Sequence, residues 1–137
     1  MTRRQTREQV FKLLFMANFY KEEELPEQFA LFLSEDNSDK EEAKQSTSEE
    51  DAEITAKVDA IVAHLDEIDD KINQSTEGWK TSRMAKVDLT LIRIAVYEMN
   101  YEKLAEGIAI NEAVEIAKKY GEENASSFVN GVLARLV

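Results

Sequence analysis

Apolar side chains recur in the middle of this chain at alternating steps of four and three residues, at Ile54, Val58, Ile61, Leu65, Ile68 and Ile72. This spacing predicts one helix whose narrow apolar stripe packs inside a helical bundle. The 137 residues include only four Gly and one Pro, and the turns between strands need such residues. We therefore expect an all-α fold, and the length indicates a single domain over residues 1–137.

Two further helices are predicted before that stripe. The first begins at Thr2 or Thr6, since either hydroxyl can cap it, and runs to about Tyr20. A short helix follows, with Pro26 in its first turn. Residues 34–53 come next and are polar and strongly charged, so we expect an acidic, flexible loop whose end can begin the next helix.

Residues 88–99 are apolar on almost every side, which is typical of a central helix that touches most of the others. Asp88 is the predicted N-cap of this helix. Arg93 and Glu98 are charges on this mostly buried helix and must find partners, because an unpaired buried charge is very costly.

Several residues before and after this central helix are expected to contribute to packing between helices. In the connection before it, Trp79 and Met84 are predicted core anchors. In the closing helix, Asn130 and Gly131 interrupt an apolar stripe and weaken the helix locally. We expect that a neighbouring helix approaches closely at Gly131 and that Asn130 donates a hydrogen bond across that contact.

The chain lacks the groups that most enzymes require. It has no Cys, no Gly-rich phosphate loop and no metalloprotease or serine hydrolase motif. His64 is the single histidine, so packing or a surface position is favoured over metal binding. Asp69 and Asp70 are interpreted as a solvated helix face. We expect no enzyme activity, no cofactor, no metal and no small-molecule substrate.

The sequence also indicates a soluble, cytoplasmic protein. No apolar run approaches the length that a bilayer requires, so no membrane partner is expected. The absence of Cys suits a reducing compartment.

Charge is distributed unevenly along the chain. The formal net charge is −11, but the first twenty residues carry four basic side chains and one acidic side chain. Arg3, Arg4 and Arg7 lie at three- and four-residue spacing, so on a helix their guanidinium groups can hold consecutive phosphates. A merely solvated helix start would have the same pattern, and both interpretations stay open on this basis.

Three stretches carry a resemblance to a known family: "RRQTREQVFKLLF" at 3–15, "RMAKVDLTLIRIAVYEM" at 83–99 and "AINEAVEIAKKYGEENASSFVNGVL" at 109–133. Together they resemble the NusB family of bacterial transcription antitermination factors. The combination of INEAVEIAK with FVNGVL is the most specific part. The resemblance implies an all-helical fold of two packed helical bundles forming one compact domain, and it implies no catalysis.

The resemblance also implies partners. It implies binding of the boxA RNA element, usually as a heterodimer with the ribosomal protein NusE, within an antitermination complex on RNA polymerase. The implied RNA-binding residues are Arg3, Arg4 and Arg7 for phosphates, Phe15, Tyr120 and Phe128 for base stacking, and Asn124 and Ser127 for polar contacts. Each of the three rings is equally compatible with a core position.

Two other functions fit parts of this pattern. A helical protein-binding scaffold with no RNA affinity of its own would explain the arginines as a solvated helix start. The RNA-recognition domain of a ribosomal RNA methyltransferase would have a similar fold, but no nucleotide-binding region follows in this chain.

Overall fold

The chain forms helices throughout the part that the structure describes. A computed structural model describes residues 1–38 and 48–137, with side chains for all of these except residues 35–38. The regular structure in these ranges comprises α1 (Arg3–Met16), α2 (Leu25–Ser38), α3 (Ser48–Ala63), α4 (Leu65–Ser75), α5 (Lys86–Asn100), α6 (Glu106–Tyr120) and α7 (Ala125–Arg135), with 3-10 turns at Glu22–Glu24 and Thr81–Arg83. The predicted all-α class is confirmed. The chain divides into two compact units, unit 1 (Met1–Ala60) and unit 2 (Ile61–Val137).

Helix α1 begins as the sequence predicts and ends earlier. Thr2 is the N-cap: its hydroxyl accepts from the Gln5 amide at 3.1 Å, and the Gln5 side chain accepts from the Thr2 amide at 2.8 Å. The helix ends at Met16 rather than near Tyr20. Asn18 donates a side-chain hydrogen bond of 3.0 Å to the Phe15 carbonyl, and such local bonds compete with helix continuation.

The apolar side chains of unit 1 follow the predicted stripes. Most members of these stripes are almost fully buried, namely Val10, Phe11, Leu13 and Leu14 of α1, Leu25, Phe29 and Leu33 of α2, and Ile54 and Val58 of α3. The chain's N-terminal amino group also lies 2.9 Å from the Glu50 carboxylate, which connects the start of α1 to α3.

The acidic segment is more helical than predicted. Helix α2 continues to Ser38 and α3 begins at Ser48, so helices occupy both ends of the segment 34–53. Three acidic residues fall in the first turn of α3, where the positive end of the helix dipole stabilises them. The prediction allowed a helical start at this end of the segment, whereas the continuation of α2 to Ser38 was not expected. Residues 39–47 lie outside the described residues, so the flexible loop stays a prediction there.

The long apolar stripe belongs to two helices instead of one. Ile54, Val58, Ile61, Ile68 and Ile72 are all at most 1% exposed, so the predicted burial is confirmed apart from Leu65, which is half-buried. The helix itself is interrupted at His64, where the amide donates to the carbonyl three residues back, at 3.0 Å. The four-and-three spacing persists through this break, which is why the sequence pattern did not reveal it.

Helix α5 occupies the centre of unit 2. It contacts α4, α6 and α7, and its buried residues surround it: Leu89, Thr90, Leu91, Ile92, Ile94, Ala95, Val96 and Glu98. The central position predicted for this helix is therefore confirmed. Its N-cap is Ala85, and Asp88 lies in the first helical turn, so the predicted cap was wrong by one turn.

An ion pair joins α4 to α5. Arg93 donates from Nε to Asp69 Oδ1 at 2.9 Å and from Nη2 to Asp69 Oδ2 at 2.7 Å, with both side chains largely buried. Arg93 thus has the partner that its position required. The solvated interpretation of Asp69 was wrong, because the side chain faces α5, whereas Asp70 is exposed.

Close packing between α6 and α7 depends on a different glycine from the one expected. Apart from the adjacent residues and the nearby backbone of α7 itself, no described atom lies within 4 Å of the position that a Cβ on Gly131 would occupy, and both Gly131 and Asn130 are exposed. A Cβ on Gly121 would lie 2.8 Å from the Ala117 carbonyl oxygen and closer still to the Ala125 Cβ. The prediction for Gly131 was wrong, and the tight contact lies at the turn between the two helices.

Candidate nucleic-acid interface

The predicted phosphate-binding residues form the beginning of α1. Arg3 and Arg4 are exposed, and Arg7 is half-buried one turn later. The first turn of α1 contains no acidic residue. Cations at this end oppose the helix dipole and so reduce the stability of the helix itself. An anion bound here would interact favourably with both the guanidinium groups and the dipole.

Phe15 lies further along the same helix in a row of aromatic rings. Its ring centroid is 6.0 Å from that of Phe11, which is buried, and 5.3 Å from that of Phe19, which is exposed. Phe15 itself is half-buried. Its eight-residue separation from Arg7 corresponds to about 12 Å along the helix axis. Phe15 therefore belongs to the edge of the apolar stripe, with part of its surface accessible.

The remaining predicted residues cluster where α6 ends and α7 begins. Tyr120, the last residue of α6, is half-buried, and the Lys119 ammonium lies 5.3 Å from its ring centroid. Asn124 is the N-cap residue of α7 and is exposed. Ser127 is exposed and donates to the Asn124 carbonyl at 3.3 Å, and Phe128 is half-buried. Two accessible rings and two polar side chains therefore occur within nine residues of unit 2.

The structure thus divides the eight predicted residues into two groups. Arg3, Arg4, Arg7 and Phe15 belong to unit 1, and Tyr120, Asn124, Ser127 and Phe128 belong to unit 2.

The sequence did not predict the exposed position of Trp79. Met84 is buried as expected, but Trp79 is 54% exposed, so its prediction as a core anchor was wrong. The Trp79 ring meets the Phe128 ring nearly edge-on, with the centroids 5.3 Å apart. The residues next to Trp79 could have indicated its exposure. Glu77 and Gly78 precede Trp79 and Lys80 follows it, and this composition is typical of an exposed turn.

One acidic group in unit 2 has a shifted pKa. Burial, and then the nearby Glu122 carboxylate, raise the pKa of Asp88 above its ordinary value. Asp88 lies in the first turn of α5. Its charged form is therefore less stable in the folded chain than in water.

The described part of the chain contains neither a metal-binding cluster nor a membrane-spanning helix. Among residues 1–38 and 48–137, no three His, Cys, Asp or Glu side chains are grouped in a way that could hold a metal ion. Within the described helices, none has the length and apolar character that crossing a bilayer requires.

Nearly the whole chain is similar to known sequences of one family. The family model described as the NusB family matches residues 4–137. The transcription antitermination protein NusB of Agathobacter rectalis is 47% identical over 136 residues, covering 98% of each chain. The protein of the same name from Lachnoclostridium phytofermentans is 38% identical over 138 residues, covering 100% of this chain and 99% of the relative.

The fold is also similar to that of solved structures. The T. maritima NusB structure superposes with a TM-score of 0.78 at 32% identity, covering 99% of this chain and 90% of that one. A chain in the crystal structure of a plectonemic RNA supercoil superposes with a TM-score of 0.76 at 28% identity, covering 98% and 92%. NusB is a family of transcription factors and not of enzymes. The helical fold, the matches of full length and the shared sequence together establish that this chain belongs to the NusB family of transcription antitermination proteins.

Proposed function

We propose that this chain is a transcription antitermination factor that binds boxA RNA. It does so together with the ribosomal protein NusE, as part of an antitermination complex on RNA polymerase. The observation that carries the proposal is the exposed arginine pair, Arg3 and Arg4, at the start of α1 in a chain that the NusB family matches over residues 4–137.

The arginines support phosphate binding by their position as well as their charge. A helix is more stable with acidic residues in its first turn, and α1 has arginines there instead. This arrangement lowers local stability, so a contribution to binding explains it better than a contribution to folding. The planar guanidinium group suits phosphate because it can donate two parallel hydrogen bonds.

The second group supports binding of unpaired bases. Tyr120 and Phe128 each keep part of the ring accessible, and an accessible ring can stack on any base. Asn124 and Ser127 are exposed beside them and can form hydrogen bonds with base edges or ribose. Single-stranded RNA offers these partners, whereas a base-paired helix hides them.

The experiment is a titration of boxA RNA and a scrambled RNA of the same length into the protein. Each titration is done at two salt concentrations, with and without NusE. We expect tighter binding of boxA RNA, a further increase in affinity with NusE, and a steep loss of affinity with added salt. A protein-binding scaffold would bind NusE and show no salt-dependent affinity for either RNA.

A charge-matched pair of variants assigns the phosphate contact. Arg3→Ala should reduce the slope of log affinity against log salt by about 0.7, the value for one phosphate contact on a single strand. Lys21→Ala removes one exposed positive charge from the same unit but lies outside α1, so it should leave the slope unchanged. Equal slopes for the two variants would show that Arg3 does not contact an RNA phosphate.

A further inference from the structure

Trp79 is exposed on a turn that is firmly held. The Thr76 side chain is buried, and its hydroxyl lies 2.8 Å from the Ile72 carbonyl oxygen and 2.7 Å from that of Trp79, so it can donate to either. The Trp79 amide donates to the Thr76 carbonyl at 3.3 Å, and Gly78 adopts a positive φ of 77° that permits the turn. The backbone beneath the indole is therefore fixed.

A second set of hydrogen bonds holds the other side of the turn. The Thr81 amide donates to the Asn73 side-chain oxygen at 2.8 Å, and Asn73 Nδ2 donates to the Thr81 hydroxyl at 3.3 Å. Both sides of the turn are thus attached to the end of α4. An exposed aromatic side chain on a fixed backbone loses less conformational entropy on binding than one on a mobile loop. The turn therefore holds the backbone of Trp79 in place before any ligand binds to the indole ring.

The indole borders a groove in unit 2 of about 250 Å³, lined by Thr76, Trp79, Ser127, Phe128, Gly131, Val132 and Arg135. The Phe128 ring contacts Trp79 at an interplanar angle of 67°, and in such an edge-to-face contact each ring keeps at least one face that the other ring does not cover. Gly131 contributes bare backbone with open space above it. The groove therefore combines two aromatic rings with open space above Gly131 that no described side chain fills.

We infer that this groove receives one unpaired base of single-stranded RNA, which stacks on the Trp79 indole and contacts the tilted Phe128 ring, over Gly131. The inference rests on the proposed function and extends it to residues outside the predicted set. Arg135 is the charged side chain among the described residues that line the groove, and its positive charge complements a phosphate next to the base. A flat, electron-rich partner with an adjoining anion fits this combination better than an aliphatic side chain does.

Abasic RNA tests the inference directly. A series of boxA RNAs, each lacking the base at one position, is titrated into the wild-type protein and into Trp79→Ala. With the wild-type protein, one position should lose about 5- to 100-fold in affinity, because stacking of one base contributes on this scale. Trp79→Ala should bind the intact RNA correspondingly weakly and should show no further loss at that position. Trp79→Phe keeps a ring and should recover most of the affinity.

Filling the groove gives an independent test with a matched control. Gly131→Leu places a side chain in the open space, and Asn130→Leu places the same side chain on an exposed position of α7 outside the groove. We expect weaker RNA binding from the first variant and unchanged binding from the second, with the same helical circular dichroism. Trp79 is the only tryptophan, so RNA should also quench the intrinsic indole fluorescence of the wild-type protein.

The outcomes separate the inference from the proposed function. If wild type and Trp79→Ala bind every RNA equally while affinity still depends on salt, the groove is not a base site and the proposed function stands. If Trp79→Ala weakens all abasic RNAs by the same factor but also weakens NusE binding, the groove holds a protein side chain and the inference is wrong. If the wild-type protein binds no RNA under any condition, both are wrong.

Discussion

Replacing Gly121 with alanine should destabilise the fold, although alanine is normally the better residue in helical proteins. The new Cβ would lie 2.8 Å from the Ala117 carbonyl oxygen and would overlap the Ala125 Cβ. Neither neighbour can rotate away, because one is backbone and the other is a Cβ. The turn between α6 and α7 must therefore shift. The hydrogen bond that the Gly121 amide donates to the Ala117 carbonyl, now 2.8 Å, must lengthen or bend.

The magnitude follows from two opposing effects. Overpacking of a close contact costs about 1 to 3 kcal/mol. Alanine also reduces the conformational entropy of the unfolded chain, which stabilises the fold by about 0.4 to 1 kcal/mol. We expect Gly121→Ala to lower the free energy of unfolding by a net of about 1 to 2 kcal/mol.

Gly131→Ala is the matched comparison, because it makes the same chemical change where there is open space. Gly131 lies inside α7, and alanine in a helix interior is favoured over glycine by about 0.5 to 1 kcal/mol. Urea unfolding followed by circular dichroism measures both variants. Gly121→Ala should unfold at lower urea than wild type and Gly131→Ala at higher urea, with similar slopes. The opposite order would mean that Gly131, and not Gly121, is the site of close helix contact.

Three further predictions concern stability. Arg93→Met should lower the free energy of unfolding by about 2 to 3 kcal/mol, since it leaves the largely buried Asp69 carboxylate unpaired. A cycle with Asp69→Asn should show a coupling above about 1 kcal/mol, and additive effects would refute the pairing. Gln9→Met should stabilise by about 1 kcal/mol, because the Gln9 side-chain oxygen is buried without a hydrogen-bond partner in the described chain; thermal unfolding measures the change. Burial and Glu122 raise the pKa of Asp88, so the folded state holds this proton more tightly than the unfolded state and stability falls as pH rises from 3.8 through the raised pKa. Asp88→Asn should therefore exceed wild type in stability at neutral pH and match it in acid, and an equal difference at both pH values would contradict this assignment.

The features that the sequence predicted well are those set by local chemistry and periodicity. The Thr2 hydroxyl and the Gln5 side chain form a cap from neighbouring residues, so its position needs no knowledge of the rest of the fold. The apolar surface of α5 likewise required a central position, because every face of the helix had to be covered.

The features that it predicted poorly depend on tertiary packing. The break at His64 leaves the apolar spacing unchanged, so periodicity alone could not reveal it. Trp79 and Gly131 were assigned from residue type, as a large apolar side chain and a small one. The exposure of Trp79 is decided by the turn that Thr76 and Asn73 hold, and that turn brings together residues whose contacts no sequence pattern encodes. The same turn creates the groove with α7, so the groove could not be predicted from local sequence patterns.

The overall negative charge and the proposed RNA binding are compatible because they act over different distances. Residues 21–53 carry a net charge of −10, which accounts for most of the total of −11. At physiological salt, a charge more than about 8 Å from a bound phosphate is largely screened, whereas Arg3 and Arg4 can make direct contact. Glu50 belongs to this acidic segment and lies near the start of α1, where it forms an ion pair of 2.9 Å with the N-terminal amino group. The excess negative charge therefore weakens nonspecific attraction to RNA more than it weakens the contacts of a docked strand. Discrimination between boxA RNA and other sequences should consequently depend on stacking and polar contacts in unit 2, with the arginines contributing affinity that is nearly the same for every sequence.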